Sequence, residues 1–251
     1  MIQNFIDFSI MALSVFLILI LAIFLGFFIQ TVVGFAGALV ALPILLISMS
    51  LQDAIAYLAL FYLYSSIILV SKEWKNIDKS VIFKLILATI IGVTIGIWVL
   101  QFGKPLVLKK MLGFFILLYV IYTTFLIKNE GVKNPKLGFV FGLFGGFFSG
   151  LFSTGGPLYV MVVKNAVVDM KVFRATMIGV LALITITRVP ILFVQDILTV
   201  NHVYDSLLVI PVFLLATFLG KKLYSKLNEK AMKNMVLSLL FISGIVLLIK
   251  S

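Results

Sequence analysis

The residues of this chain that could do chemistry are few, and residue type alone removes most reaction classes. There is no cysteine among 251 residues, which excludes thiol nucleophiles, thiolate metal sites and disulfides. The single histidine, His202, stands in a polar stretch and reads as a solvated loop residue. No His-Glu-x-x-His pattern and no pair of carboxylates within an apolar run occurs, so no metal, cofactor or enzymatic role is expected. The acids, such as Asp53, Asp78, Asp169 and Asp205, fall in or beside polar stretches. A carboxylate at membrane depth is the usual proton or sodium relay. None is visible, which disfavours cation transport and leaves the coupling ion undefined.

What remains is a polar, glycine-rich break inside an apolar run: Ser149-Gly150-Leu151-Phe152-Ser153-Thr154-Gly155-Gly156-Pro157. Pro157 suits the first turn of a helix, where its missing N–H costs nothing. The residues before it, Ser153, Thr154, Gly155 and Gly156, would then present backbone N–H groups at a helix N-terminus. Such an end carries about half a positive charge and binds anions. Without Cβ atoms at Gly155 and Gly156, a ligand can approach the backbone. A fainter twin lies near the N-terminus, Gln30-Thr31-Val32-Val33-Gly34-Phe35-Ala36-Gly37. If Gly34, Phe35, Ala36 and Gly37 start a second helix opposite the first, the two ends make an electropositive site with no buried cation. Gln30, Thr31, Ser149 and Ser153 either line that site or bond helix carbonyls, and the sequence does not choose. Gly26, Gly142, Gly145 and Gly146 read instead as packing glycines, since small residues let membrane helices approach closely. Arg188, just before Val189-Pro190, is either an outer-mouth cation that draws anions in or a side chain snorkelling from a helix end.

The elements that must position these residues are membrane helices. The composition is 63% hydrophobic and only 12% charged, with mean hydropathy +1.27. A soluble domain carries about 25% charged residues. Apolar runs of about 18 residues or more recur along the chain, as transmembrane helices require. The expected fold is an all-α polytopic membrane protein, one transmembrane domain over residues 1–251. The net charge of +11 is mostly lysine, which suits membrane-flanking loops better than a nucleic-acid surface. No cleavable signal is expected at the N-terminus.

Two halves, 8–127 and 137–250, repeat one order of elements: a broken apolar stretch, then three spans, about eight spans in all. An offset of 119 residues places Gly26 on Gly145, Gln30 on Ser149, Gly37 on Gly156 and Ser66 on Thr185. If each broken stretch enters and returns, the lysine-rich loops 72–79, 128–136, 164–174 and 221–233 fall on one face. Positive-inside counting then favours two inverted repeats. Whether the broken stretches are re-entrant hairpins or tilted spans stays open.

The pattern Gly145-Gly146-(x2)-Ser149-Gly150-(x4)-Gly155-Gly156-Pro157, with its degenerate twin and the two-fold repeat, resembles the sulfite exporter TauE/SafE family across essentially the whole chain. The twin, Gly34-Phe35-Ala36-Gly37-Ala38, departs from the family by carrying alanine where a glycine-rich run is typical. The resemblance implies outward transport of a small sulfur-containing anion, sulfite or an organosulfonate, across the cytoplasmic membrane. The expected partners are that anion and the lipid bilayer, with no nucleic acid; a homo-oligomer is compatible with the sequence. A secondary transporter working by alternating access is the first reading, and a passive anion channel using the same dipoles is the second.

Overall fold

The computed structural model describes residues 13–33, 37–126, 135–167, 169–224 and 229–249. They form ten α-helices: α1 (Leu13–Val33), α2 (Gly37–Leu45), α3 (Leu51–Glu73), α4 (Lys79–Phe102), α5 (Pro105–Ile121), α6 (Pro135–Phe152), α7 (Gly156–Ala166), α8 (Met170–Val194), α9 (Val200–Tyr224) and α10 (Glu229–Ile249). Six are long and apolar enough to cross a membrane, namely α1, α3, α4, α5, α8 and α9. Shorter apolar stretches lie in α6 and α10. Caps fix several starts. Ser50 accepts from the Asp53 N–H, Asp78 from the Ser80 and Val81 N–H groups, and Asp169 from the Val172 N–H.

Both broken stretches are helical hairpins. In the second, Gly145 faces the Tyr159 ring and Gly138 faces Val162, so α7 runs back along α6. In the first, Gly26 packs on Ala41 and Gly37 on Gln30, so α2 returns along α1. With nine and eleven residues, α2 and α7 rise about 14 and 17 Å. Neither reaches across an apolar core about 30 Å thick.

The tips are held by close backbone packing. A Cβ at Gly146 would stand 2.8 Å from the Thr89 carbonyl oxygen, and Cβ atoms at Gly92 and Gly96 would overlap the carbonyls of Leu143 and Phe147. This small-residue seam lets α4 and α6 touch main chain to main chain. Its counterpart joins α9 to α1, where a Cβ at Gly220 would meet Thr31 Cβ at 2.8 Å. The glycines read as packing glycines all lie against neighbouring helices, Gly26 and Gly146 near main chain and Gly142 and Gly145 against side chains.

The other main pairings also exchange when the halves are swapped. The pairs α2–α3 and α7–α8 correspond, α4–α8 answers α3–α9, and α3–α8 and α5–α10 map onto themselves. Helix direction follows from polar bonds at the ends. Gln52 donates to the Leu100 carbonyl, Gln101 to the Gln195 carbonyl, and His202 Nε2 pairs with Asp53 Oδ1 at 3.2 Å. The start of α3, the ends of α4 and α8 and the start of α9 therefore share one face. On the other face the Asp78 N–H donates to Thr176 Oγ1, near the start of α8. So α3 and α8 run in opposite directions, as do α4 and α9.

One reading of the sequence is corrected here. His202 and Asp205 belong to α9, not to a loop. The His202 side chain is only 12% exposed, and Tyr57 donates to Asp205 at 2.6 Å. Polar residues in a helix's opening turns look like a loop by hydropathy alone, but partners on α3 satisfy them.

Candidate anion site

The site is assembled from the α6–α7 tip and the crossing of α3 with α8. Helix α6 ends because Ser153 takes a left-handed conformation (φ 60°). Its N–H donates to the Ser149 carbonyl at 2.9 Å, and the Thr154 N–H donates to the Phe148 carbonyl at 3.3 Å. Glycine is the usual residue in this conformation. A serine there costs about 1 kcal/mol or more, and it supplies a hydroxyl that glycine would not. Helix α7 then starts at Gly156 with Pro157 in its first turn. Among the described residues the N–H groups of Gly155 and Gly156 have no hydrogen-bond acceptor.

Arg188 fills the space beside this break. It is 1% exposed. Its Nη1 donates to the Ser149 carbonyl at 3.0 Å and to Ser153 Oγ at 2.6 Å. The guanidinium carbon lies 5.7 Å from the centre of the Tyr62 ring on α3. The Nε–H has no partner, and among the described residues no carboxylate pairs with the guanidinium. A buried charge without a counter-charge costs several kcal/mol. The carbonyl end of α6 and the tyrosine ring offset part of that cost. The remaining field, joined to the N-terminus of α7, favours an anion.

Arg188 is therefore buried and does not snorkel, and the expectation of a site with no buried cation is corrected as well. The charge was plain in the sequence. Its burial was not, because Pro190 and the nearby polar residues look like a helix end, while α8 continues to Val194.

A small cavity lies at this point, lined by Tyr62, Ser149, Ser153, Gly156, Leu181, Ile184, Thr185 and Arg188. Its volume of about 10 Å³ holds about one water and no larger anion. A larger anion fits there only if the cavity walls move apart.

The expected site residues divide as follows. Ser149, Ser153 and Gly156 line the cavity. Thr154 is buried beside them with an unpaired Oγ1. Gly155 is near, but for a different reason from the one expected. A Cβ there would overlap the Gly145 carbonyl oxygen and Ser149 Oγ, so its missing side chain serves hairpin packing, not ligand approach. At the other tip Gln30 is buried with its Oε1 unpaired, and a Cβ on Gly37 would overlap that oxygen. Gly34, Phe35 and Ala36 lie outside the described residues. Thr31 and Thr185 bond their own helix carbonyls, those of Phe27 and Leu181.

Tyr62 was missed. It is 4% exposed, lines the cavity, and accepts the Ala38 N–H at 3.0 Å from the first turn of α2. A tyrosine in an apolar span carries no sign of which way its ring points. The only available signal was a hydroxyl near the middle of α3, where burial demands a partner.

The family model described as sulfite exporter TauE/SafE matches residues 18–247 of this chain. No match was found among curated proteins or among solved structures.

Proposed function

Because the chain belongs to the sulfite exporter TauE/SafE family, a family of membrane transporters, we propose that it is a secondary transporter of a small sulfur oxyanion, sulfite or an organosulfonate. It moves that anion outward across the cytoplasmic membrane by alternating access about a midplane site. The observation that carries this reading is the buried Arg188, with no carboxylate partner among the described residues, beside the N-terminus of α7. Arg188, Ser149 and Ser153 hold the anion's oxygens together with the free N–H groups at Gly155 and Gly156. Thr154, Gln30 and Gly37 shape the surroundings.

Alternating access is supported by the architecture. Two hairpins enter from opposite faces, and the helices of the two halves run in opposite directions. These features support two inverted repeats, 8–127 and 137–250. The face that carries Lys72, Lys75, Lys79, Lys221 and Lys222 is then cytoplasmic. Single cysteines replacing Lys75 and Lys222 label from inside, and one replacing Lys104 labels from outside. Labelling of Lys75→Cys and Lys222→Cys from opposite sides contradicts the arrangement.

Function is tested in proteoliposomes with labelled sulfite. Saturable uptake that shows counterflow is expected. Current proportional to voltage with no counterflow would mean a passive anion channel instead.

A further inference from the structure

We propose that Tyr62 is itself an anion-binding residue, and that it links occupancy of the α6–α7 site to the hairpin of the other half. The proposal rests on reading the Arg188 cavity as the anion site.

Tyr62 touches the first turn of α2 at one tip and Arg188 at the other. Its hydroxyl oxygen accepts the Ala38 N–H of α2, and its ring lies under the guanidinium of Arg188. A phenol has a single proton to donate. With the Ala38 bond taken in the acceptor role, that proton is left over, and among the described residues it has no acceptor. A buried donor without an acceptor is costly. Tyr62 and Arg188 both line the cavity, and the Arg188 Nε–H has no partner. Two unused donors, one charged and one neutral, on residues that line one cavity suit an oxyanion that accepts from both.

The linkage follows from how hydrogen bonds polarise one another. When the Tyr62 hydroxyl donates to an anion, its oxygen becomes a better acceptor and holds the Ala38 N–H more tightly. The start of α2 is then firmer when substrate is bound. A ligand shifts a conformational equilibrium only through differential contacts with the two states, and this bond supplies such a contact to the distant half. Tyr62 has no counterpart in the second repeat. The 119-residue offset places Leu181 there, and Pro157 stands where the first half has Ala38. Proline has no N–H to give, so the second half has no equivalent of this bond.

The purified full-length chain is compared with Tyr62→Phe, Ala38→Pro and Arg188→Gln, using sulfite as the probe. Two readouts are used: calorimetric affinity, and hydrogen exchange with and without sulfite. Tyr62→Phe keeps the ring against Phe27, and thermal unfolding checks that it folds. Ala38→Pro removes the donated N–H, in a first turn where proline is tolerated, as Pro157 shows, and sets a ring methylene against the Tyr62 hydroxyl, so its readout is protection of α2 and not affinity.

In the unmodified chain sulfite is expected to slow exchange in both α7 and α2. Tyr62→Phe weakens sulfite binding about tenfold or more, and at saturating sulfite it retains protection of α7 while losing that of α2. Ala38→Pro loses protection of α2 and, at saturating sulfite, keeps that of α7. Unchanged affinity in Tyr62→Phe, or full α2 protection in Ala38→Pro, overturns the proposal. If the unmodified chain does not bind sulfite, or Arg188→Gln binds as well as it does, the anion-site reading itself fails. Loss in Arg188→Gln with no loss in Tyr62→Phe refutes only the role of Tyr62.

Discussion

At the α1–α2 tip, the first turn of the returning helix gives its Ala38 N–H to a neutral tyrosine hydroxyl. At the α6–α7 tip, the break faces a guanidinium that bonds Ser149 and Ser153. The two hairpins share their order, their short returning arms and their glycine packing. Their chemistry differs because single residues of the neighbouring helices differ. The 119-residue offset sets Leu69 in the place of Arg188. Two similar hairpins thus differ in charge, because the residues that α3 and α8 bring to them leave one tip cationic and the other neutral. An anion site needs only one charged wall, and the second tip is free to act as the part that responds.

Substitutions at matched positions can break this comparison. The largest effect is expected at Arg188. Arg188→Gln should lower sulfite affinity more than a hundredfold, whereas Leu69→Ala should change it less than twofold, both by calorimetry. Equal losses at the two positions would mean that the tips share the charge-binding role.

The next largest effect separates the glycines of the two tips. Gly155→Ala drives a Cβ into the main chain at Gly145, which cannot yield without opening the hairpin. A loss of about 3 kcal/mol or more is expected from thermal unfolding in detergent. Gly37→Ala overlaps chiefly the Gln30 Oε1, the end of a side chain that can turn away, and also touches the Gln30 Cβ at 3.0 Å. A loss of about 1 kcal/mol is expected there.

Ser153 tests whether backbone strain is kept for function. Ser153→Gly relieves the left-handed conformation, worth about 1 kcal/mol, and removes the 2.6 Å bond to Arg188. Unfolding temperature should hold or rise while sulfite affinity falls severalfold. A fall in both would show that the Arg188 bond mainly stabilises the fold.

The smallest effect is expected at Gln30. Gln30→Met removes a buried oxygen that has no partner. Stability should stay within about 1 kcal/mol, and sulfite transport should change less than fivefold. A loss on the scale of Arg188→Gln would promote the first tip to an equal partner in binding.

The sequence reveals the scaffold better than the site. Gly155-Gly156-Pro157 in an apolar run marks a helix break without any structure, because lipid tolerates irregular backbone only where protein or a cavity covers it. Ser149 and Ser153 stood out the same way, as polar residues that either line the site or bond helix carbonyls, and both line the cavity. The reason for Gly155 was not legible. A missing Cβ looks the same whether a ligand or the Gly145 carbonyl occupies its space. Arg188 was visible as a charge, but its burial depends on α8 running past Pro190 to Val194. Tyr62 was invisible, because its role depends on azimuth and on the meeting of α3 with the Ala38 turn, 24 residues earlier in the chain. Hydropathy also took the opening of α9 for a loop, since His202 and Asp205 find their partners only when α3 is beside them.

The central claim is that Arg188 at the α6–α7 tip binds the transported anion. The most direct measurement is sulfite binding to the purified protein by calorimetry, with and without Arg188→Gln. The account predicts saturable binding in the unmodified protein and none measurable in a folded Arg188→Gln variant. Binding of equal affinity in both would contradict it.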